Sequence, residues 1–222
     1  MRRILILISM LVSSTALADP GPWYAGLTAG RAQGSLPGGS DDELRAQGFS
    51  GIQSSANNSF NVIGLSVGYA FSPRISIEGA YEHIGNSNSN NYDASFPVPP
   101  NGVGESHKSW RMGAFSFSAV AKVVTWRSVA LFGKASAYYV QGNFEQTTAV
   151  IDLSTSTTTA SKRSASGSGV VPGAGVGVSF DVTREFALRA SYEIVAKKSG
   201  LFGAGNDLGT MKLLSTSVSY SF

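Results

Sequence analysis

Few residues in this chain have types and spacings suited to chemistry. Cysteine is absent and there are two histidines, His83 and His107. Thiolate catalysis and a disulfide framework are therefore excluded. His83 lies in Glu82-His83-Ile84-Gly85-Asn86. A histidine that activates a nucleophile needs a hydroxyl within hydrogen-bond reach, and Gly85 occupies the place where that serine would stand. The expectation is an interface-level histidine at a strand end, with no catalytic residue. The glycines of GAGVG, Gly173 to Gly177, imitate a phosphate-cradling loop, but they fall inside a strand with no helix after it, so that geometry has no support. No metal or cofactor site is expected. Five charges share one face of their strands: Glu78 and Glu82, Lys134, and Arg189 and Glu193. They can form an ion-pair network or line the gate of a narrow pore; the first reading is preferred.

Elements must hold these charges in place, and the N-terminus says where the chain goes. Arg2 and Arg3, the apolar run Ile4 to Val12 and Ala16-Leu17-Ala18 have the layout of a secretory signal peptide over residues 1–18. The run is too short for a spanning helix, which needs about 20 residues. Of 17 basic and 14 acidic residues, removal of Arg2 and Arg3 leaves 15 against 14. The basic excess is small and dispersed, so nucleic acid is not an expected partner. Charged residues make up 14% of the chain, against about 25% in ordinary soluble domains. Something other than water is expected to face much of the surface.

The last stretch, Met211 to Phe222, shows the pattern most cleanly. Leu214, Thr216, Val218, Tyr220 and Phe222 fall on one face and Leu213, Ser215, Ser217, Ser219 and Ser221 on the other. Such a strand needs partners on both edges, and closure against the first strand provides them. The first strand begins at Trp23, and eight candidate strands follow the same rule. The others are Asn61 to Phe71, Ile75 to His83, Trp110 to Val123, Val129 to Gly142, Val170 to Phe180 and Phe186 to Ile194. Between them run long connections at Arg31 to Ser59, Ile84 to Lys108 and Asn143 to Ser168, a moderately long one at Lys197 to Gly209, and short turns such as Ser72-Pro73-Arg74. Ser40 to Glu43 has capping-box spacing for a brief helix, with an irregular loop equally open; the second long connection is expected to lack regular structure, and the third holds a low-complexity run of Ser, Thr and Ala over Ser154 to Ser168. This alternation of lengths suits a single-domain, all-β, antiparallel up-and-down transmembrane barrel over residues 19–222, with short periplasmic turns and long extracellular loops.

Alternation alone does not say which face meets lipid. The aromatics of the apolar face, Trp23, Tyr69, Phe71, Phe180, Phe186, Tyr220 and Phe222, fall at the short-turn ends of their strands, where a headgroup-level girdle belongs. The other face is chiefly Gly and Ser, with the five charges among them. Charges are costly in lipid and can pair in a lumen.

Several segments carry a family resemblance: WYAGLTAG at Trp23 to Gly30, GYAF at Gly68 to Phe71, LFGKASAYYV at Leu131 to Val140, GAGVGVSF at Gly173 to Phe180, FALRASYE at Phe186 to Glu193, and the terminal VSYSF. In this order they resemble the OmpA-like eight-stranded outer-membrane barrel family, in the group that holds small opacity-type surface proteins. The resemblance implies residence in the outer membrane among its lipids and lipopolysaccharide, and a terminal strand whose Tyr220 and Phe222 are read by the barrel-assembly machinery. Larger members append a peptidoglycan-binding domain, which is not expected here. The His83 segment is somewhat similar to the signature of outer-membrane lipid A deacylases but lacks the serine. The expected role is structural or surface-interactive, adhesin-like, through loops whose ligand the sequence does not name. Tyr92 and Phe96 are the candidate contact anchors. A narrow small-solute pore is the alternative, and lipid A modification a distant one.

Overall fold

In the computed structural model, residues 21–34, 44–45, 49–56, 58–85, 92–98, 102–201 and 207–222 are described. They form ten strands: β1 (Trp23–Gly34), β2 (Gln53–Ala56), β3 (Ser59–Ala70), β4 (Ile75–Gly85), β5 (Tyr92–Val98), β6 (Gly102–Trp126), β7 (Val129–Asp152), β8 (Thr157–Asp181), β9 (Phe186–Val195) and β10 (Met211–Ser221). Eight close into a ring in the order β1-β3-β4-β6-β7-β8-β9-β10, every neighbour antiparallel. β10 closes the ring as its pattern requires: Leu27 faces Val218 on one side, and Val218 faces Leu188 on the other.

Side-chain parity separates the two faces. Leu65, Val67, Phe115, Phe117, Leu131, Val176, Leu188 and Leu214 point outward and are exposed, Phe117 at 61% and Leu65 at 60%. Their lumen-facing neighbours are buried or half-buried. A contiguous belt of bare apolar side chains this large is untenable in water and is what a barrel presents to hydrocarbon.

Three short turns mark the periplasmic end: Ser72 to Arg74, Arg127-Ser128, and Val182 to Glu185. Ser72 Oγ accepts the Ile75 N–H at 3.1 Å, and Thr183 Oγ1 accepts the Phe186 N–H at 3.0 Å. Arg127 adopts the left-handed region at φ 52°, with its guanidinium 5.3 Å from the Trp126 ring.

The opposite end departs from expectation. Ile84 to Lys108 is expected to lack regular structure and Asn143 to Ser168 to be a long connection, yet β5 and the first part of β6 occupy one and the tops of β7 and β8 the other. The β7–β8 connection contracts to the turn Leu153 to Ser156. There the Asp152 carboxylate accepts the Ser154 N–H at 2.8 Å and the Ser154 hydroxyl at 2.6 Å. These bonds hold the Asp152 carboxyl below its usual range. β7 pairs with β8 without a break from Val129 opposite Phe180 to Asp152 opposite Thr157. A strand of β6's 25 residues has about 80 Å of contour, far more than an apolar band about 25 Å tall requires. The sheet therefore continues past the membrane as a wall, widened by β5 on β6 and β2 on β5. The expected capping box, Ser40 to Glu43, lies outside the described residues; Leu44 and Arg45 are helical, and the Phe49 N–H donates to the Leu44 carbonyl at 3.1 Å.

Candidate functional site: a layered lumen beneath an extracellular sheet

Counted from the periplasmic turns, the lumen has three layers. In the lowest, Tyr24 on β1, Glu78 on β4 and Arg189 on β9 meet. Tyr24 Oη donates to Glu78 Oε1 at 2.8 Å, the Arg189 guanidinium pairs with the same oxygen, and its Cζ stands 4.8 Å over the Tyr24 ring. The ring crosses the lumen over Gly68, where a Cβ would lie 2.2 Å from Tyr24 Cζ. Only glycine permits that approach.

The middle layer uses Lys134 on β7 and Glu193 on β9. Lys134 Nζ is 2.9 Å from Glu193 Oε1, and Tyr138 Oη donates to Glu193 Oε2 at 2.5 Å. Between the two layers Ser118 Oγ donates to Ser136 Oγ at 2.9 Å. Glu82 lies beside this pair, only 6% exposed, attracted by Lys134 and repelled by Glu193. Its Oε2 makes no hydrogen bond. All five charges expected in the lumen face it, in two ionic groups with Glu82 at the edge of the second.

The third layer departs from the expected inner face of chiefly Gly and Ser. Towards the extracellular end Phe60, Val62, Ile84, Trp110, Met112, Val140, Phe144, Val171, Met211 and Leu213 form one buried apolar cluster. Trp110 and Phe144 pack with ring centroids 4.6 Å apart, and Leu201 and Leu208 from the β9–β10 connection join it. An eight-stranded barrel has just enough interior for side chains, and here these large ones close it. The parity of the lumen charges carries this signal: Ile84 follows Glu82, and Val140 follows Lys134 and Tyr138, on the same face.

The outer-face aromatics gather near the periplasmic turns, with Tyr69 and Tyr220 half-buried. Trp23, Phe71, Phe180, Phe186 and Phe222 are exposed on the outer face near the short turns. Trp23 stacks edge-on to Tyr69 at 4.9 Å, Tyr69 to Phe71 at 5.1 Å, and Phe186 packs on Tyr220 at 4.9 Å. The Phe222 N–H donates to the Trp23 carbonyl at 2.9 Å. Trp126, 68% exposed at the β6–β7 turn, belongs with them, although it lies outside the alternating pattern that marks the others.

Above the membrane, Phe96 is buried at 2% exposure in a small cluster with Leu44 and Ala94. It packs within its own loops and is not free to be a contact anchor. On the outer face of the same sheet His107 Nδ1 meets Asp93 Oδ1 at 2.5 Å, and His107 Nε2 lies 3.6 Å from Glu105 Oε2. The Asp93 hydrogen bond, reinforced by Glu105, raises the His107 pKa. The segment distance between Asp93 and His107 hid this pair in the sequence; the β5–β6 register sets them opposite each other. GAGVG lies within β8, and His83 faces outward on β4.

Comparison with known proteins agrees with this geometry. A search of curated protein sequences finds no match. Among solved structures, Neisserial surface protein A aligns over 92% of this chain and 100% of its own, with 16% identity and a TM-score of 0.55. That likeness speaks for the fold alone. Ail of Yersinia pestis (13% identity, TM-score 0.42, 90% and 98% coverage) and OprG of Pseudomonas aeruginosa (10%, 0.44, 92% and 98%) align more loosely. The family model described as the outer membrane protein beta-barrel domain matches residues 4–222. With a closed ring of eight strands, a lipid-facing apolar belt and that match over nearly its whole length, the chain belongs to the outer membrane protein beta-barrel family and resides in the outer membrane.

Proposed function

We propose that this barrel is a non-enzymatic anchor for a rigid extracellular sheet, and that the sheet engages partners at the cell surface. The observation carrying this reading is the continuous pairing of β7 with β8, and with β6 from Lys122 opposite Phe132 to Gly102 opposite Asp152, which stands the Leu153 to Ser156 turn beyond the lipid belt on backbone hydrogen bonds. Rigid scaffolds that present exposed segments are the usual way such folds bind. The apolar upper lumen supports an anchoring role over a pore. The test replaces residues 149–160, above the apolar layer, with a short turn joining β7 to β8, and measures adhesion, serum survival and solute permeability. Adhesion or serum survival should fall while permeability stays constant. Unchanged adhesion and survival in a correctly inserted variant would overturn the proposal. Biogenesis through the barrel-assembly machinery, with Tyr220 and Phe222 as its signal, and cleavage of residues 1–18 belong to the same reading.

A further inference from the structure

The outer wall changes character sharply across four strands, in rungs fixed by register. Tyr81, Phe115, Tyr139 and Val170 form one rung, all facing out and at least 40% exposed. One step towards the extracellular side the rung is His83, Gly113, Gln141 and Ser168; one further step gives Gly85, Arg111, Asn143 and Ser166. The apolar rung is the upper edge of the lipid belt, so the next two lie at the headgroups of the outer leaflet.

Those two rungs are concave. A groove of about 550 Å³ runs over them, lined by Tyr81, His83, Arg111, Gln141, Asn143 and Ser166 with glycines between. Gly113 leaves the hollow. A Cβ on Gly113 would come 3.0 Å from the Tyr81 hydroxyl, and one on Gly85 would lie 3.9 Å from His83 Nε2. Among the described residues no carboxylate lines the groove. The nearest outward acid, Glu145, is one rung higher and is held by Lys162 at 2.7 Å.

We infer that this groove is a binding site for the phosphorylated amino-sugar headgroup of an outer-leaflet glycolipid. Arg111 supplies a permanent positive charge with forked N–H donors suited to a phosphate. Gln141, Asn143 and Ser166 supply the mixed donors and acceptors that sugar hydroxyls and amides need. Tyr81 and Phe115, their ring centroids 4.8 Å apart, form the apolar wall below, against which acyl chains of the same molecule lie. A soluble sugar phosphate would use the polar rungs and gain nothing from that wall.

The test is native mass spectrometry of the full chain in detergent, with bisphosphorylated lipid A, dephosphorylated lipid A and water-soluble glucosamine phosphate as probes. The wild type should retain bisphosphorylated lipid A about tenfold better than the dephosphorylated form, the effect of one charge-assisted phosphate contact. Arg111→Gln should abolish that preference. Gly113→Val, which fills the hollow and leaves every charge in place, should weaken retention of both lipids about tenfold; heat-modifiability on gels reports that each variant is folded. Arg127→Gln, on the periplasmic turn, should behave as the wild type. Equal retention of the two lipids by the wild type, or wild-type retention by folded Arg111→Gln and Gly113→Val, would overturn the inference. So would displacement by glucosamine phosphate at the concentration where lipid A binds.

Discussion

Glu193 is shared: one carboxylate oxygen faces Lys134 Nζ at 2.9 Å while the other accepts the Tyr138 hydroxyl at 2.5 Å. Both partners come from β7, so a single side chain of β9 ties two heights of that strand across the lumen. Glu193→Ala leaves Lys134 and the Tyr138 hydroxyl buried without that carboxylate. It should cost about 3–5 kcal/mol, the range for breaking one half of a buried pair. Urea unfolding in lipid vesicles measures it. Replacing Lys134 and Glu193 together with Met and Leu should recover most of the loss, because neither charge is then stranded. Lys162→Ala, which breaks an exposed pair with Glu145, should change stability by less than about 1 kcal/mol.

The apolar layer, rather than the ion pairs, should control permeation. Removing Arg189 disrupts the lowest layer but leaves Trp110, Phe144 and Met112 closing the lumen above it. Arg189→Ala should therefore give planar-bilayer records like the wild type. A Trp110→Ala, Phe144→Ala double variant should show discrete conductance steps, at a cost of about 3–5 kcal/mol per truncated ring. Steps in the Arg189 variant alone would assign the gate to the charges.

His107 makes the extracellular sheet pH-dependent. Its pKa is raised, first by the hydrogen bond to Asp93, above an unfolded value of about 6.5. A raised cationic pKa means the stabilisation is fully present below the unfolded value and fades as pH rises through the folded one. As pH rises from about 6.5 through the raised His107 pKa the β5–β6 pairing should loosen, seen as faster amide exchange in Tyr92 to Val98 after correction for intrinsic rates. His107→Gln should remove the pH dependence.

The three tryptophans sit in two environments. Trp23 and Trp126 are exposed on the outer face near the periplasmic turns, 48% and 68%, whereas Trp110 is 3% exposed in the lumen. In single-tryptophan variants, brominated lipids should quench Trp23 and Trp126 strongly and Trp110 weakly. Strong quenching of Trp110 would invert the facing assigned to β6.

The sequence makes the barrel legible wherever lipid imposes contrast. Ile63, Leu65, Val67 and Tyr69 alternate with Gly64, Ser66, Gly68 and Ala70, because a residue facing hydrocarbon and one facing a packed lumen are held to different chemistry. Beyond the membrane that constraint ends. Thr157 to Ser164 is exposed on both faces, so it carries no period-two signal, and only the backbone ladder to β7 makes it a strand. The lumen charges were visible as exceptions on a small-residue face. The apolar plug was not, because Ile84 and Phe144 were assigned to connections before their parity was followed upward. The His107–Asp93 pair and the headgroup groove depend on register, which composition does not encode.

One consequence follows from the uninterrupted β7–β8 pairing for how this protein can change over generations. A single residue inserted into the upper half of β7 shifts every side chain on one side of the insertion to the opposite face, unless a bulge absorbs it. The β-bulge found in β6 lies between Lys122 and Val124, at the periplasmic end, and offers no slack above. Length changes are thus confined to even numbers along the shaft or to the turn at Leu153 to Ser156. Lineages of this barrel should vary in the height of the wall by whole pleats, and freely only at its tip.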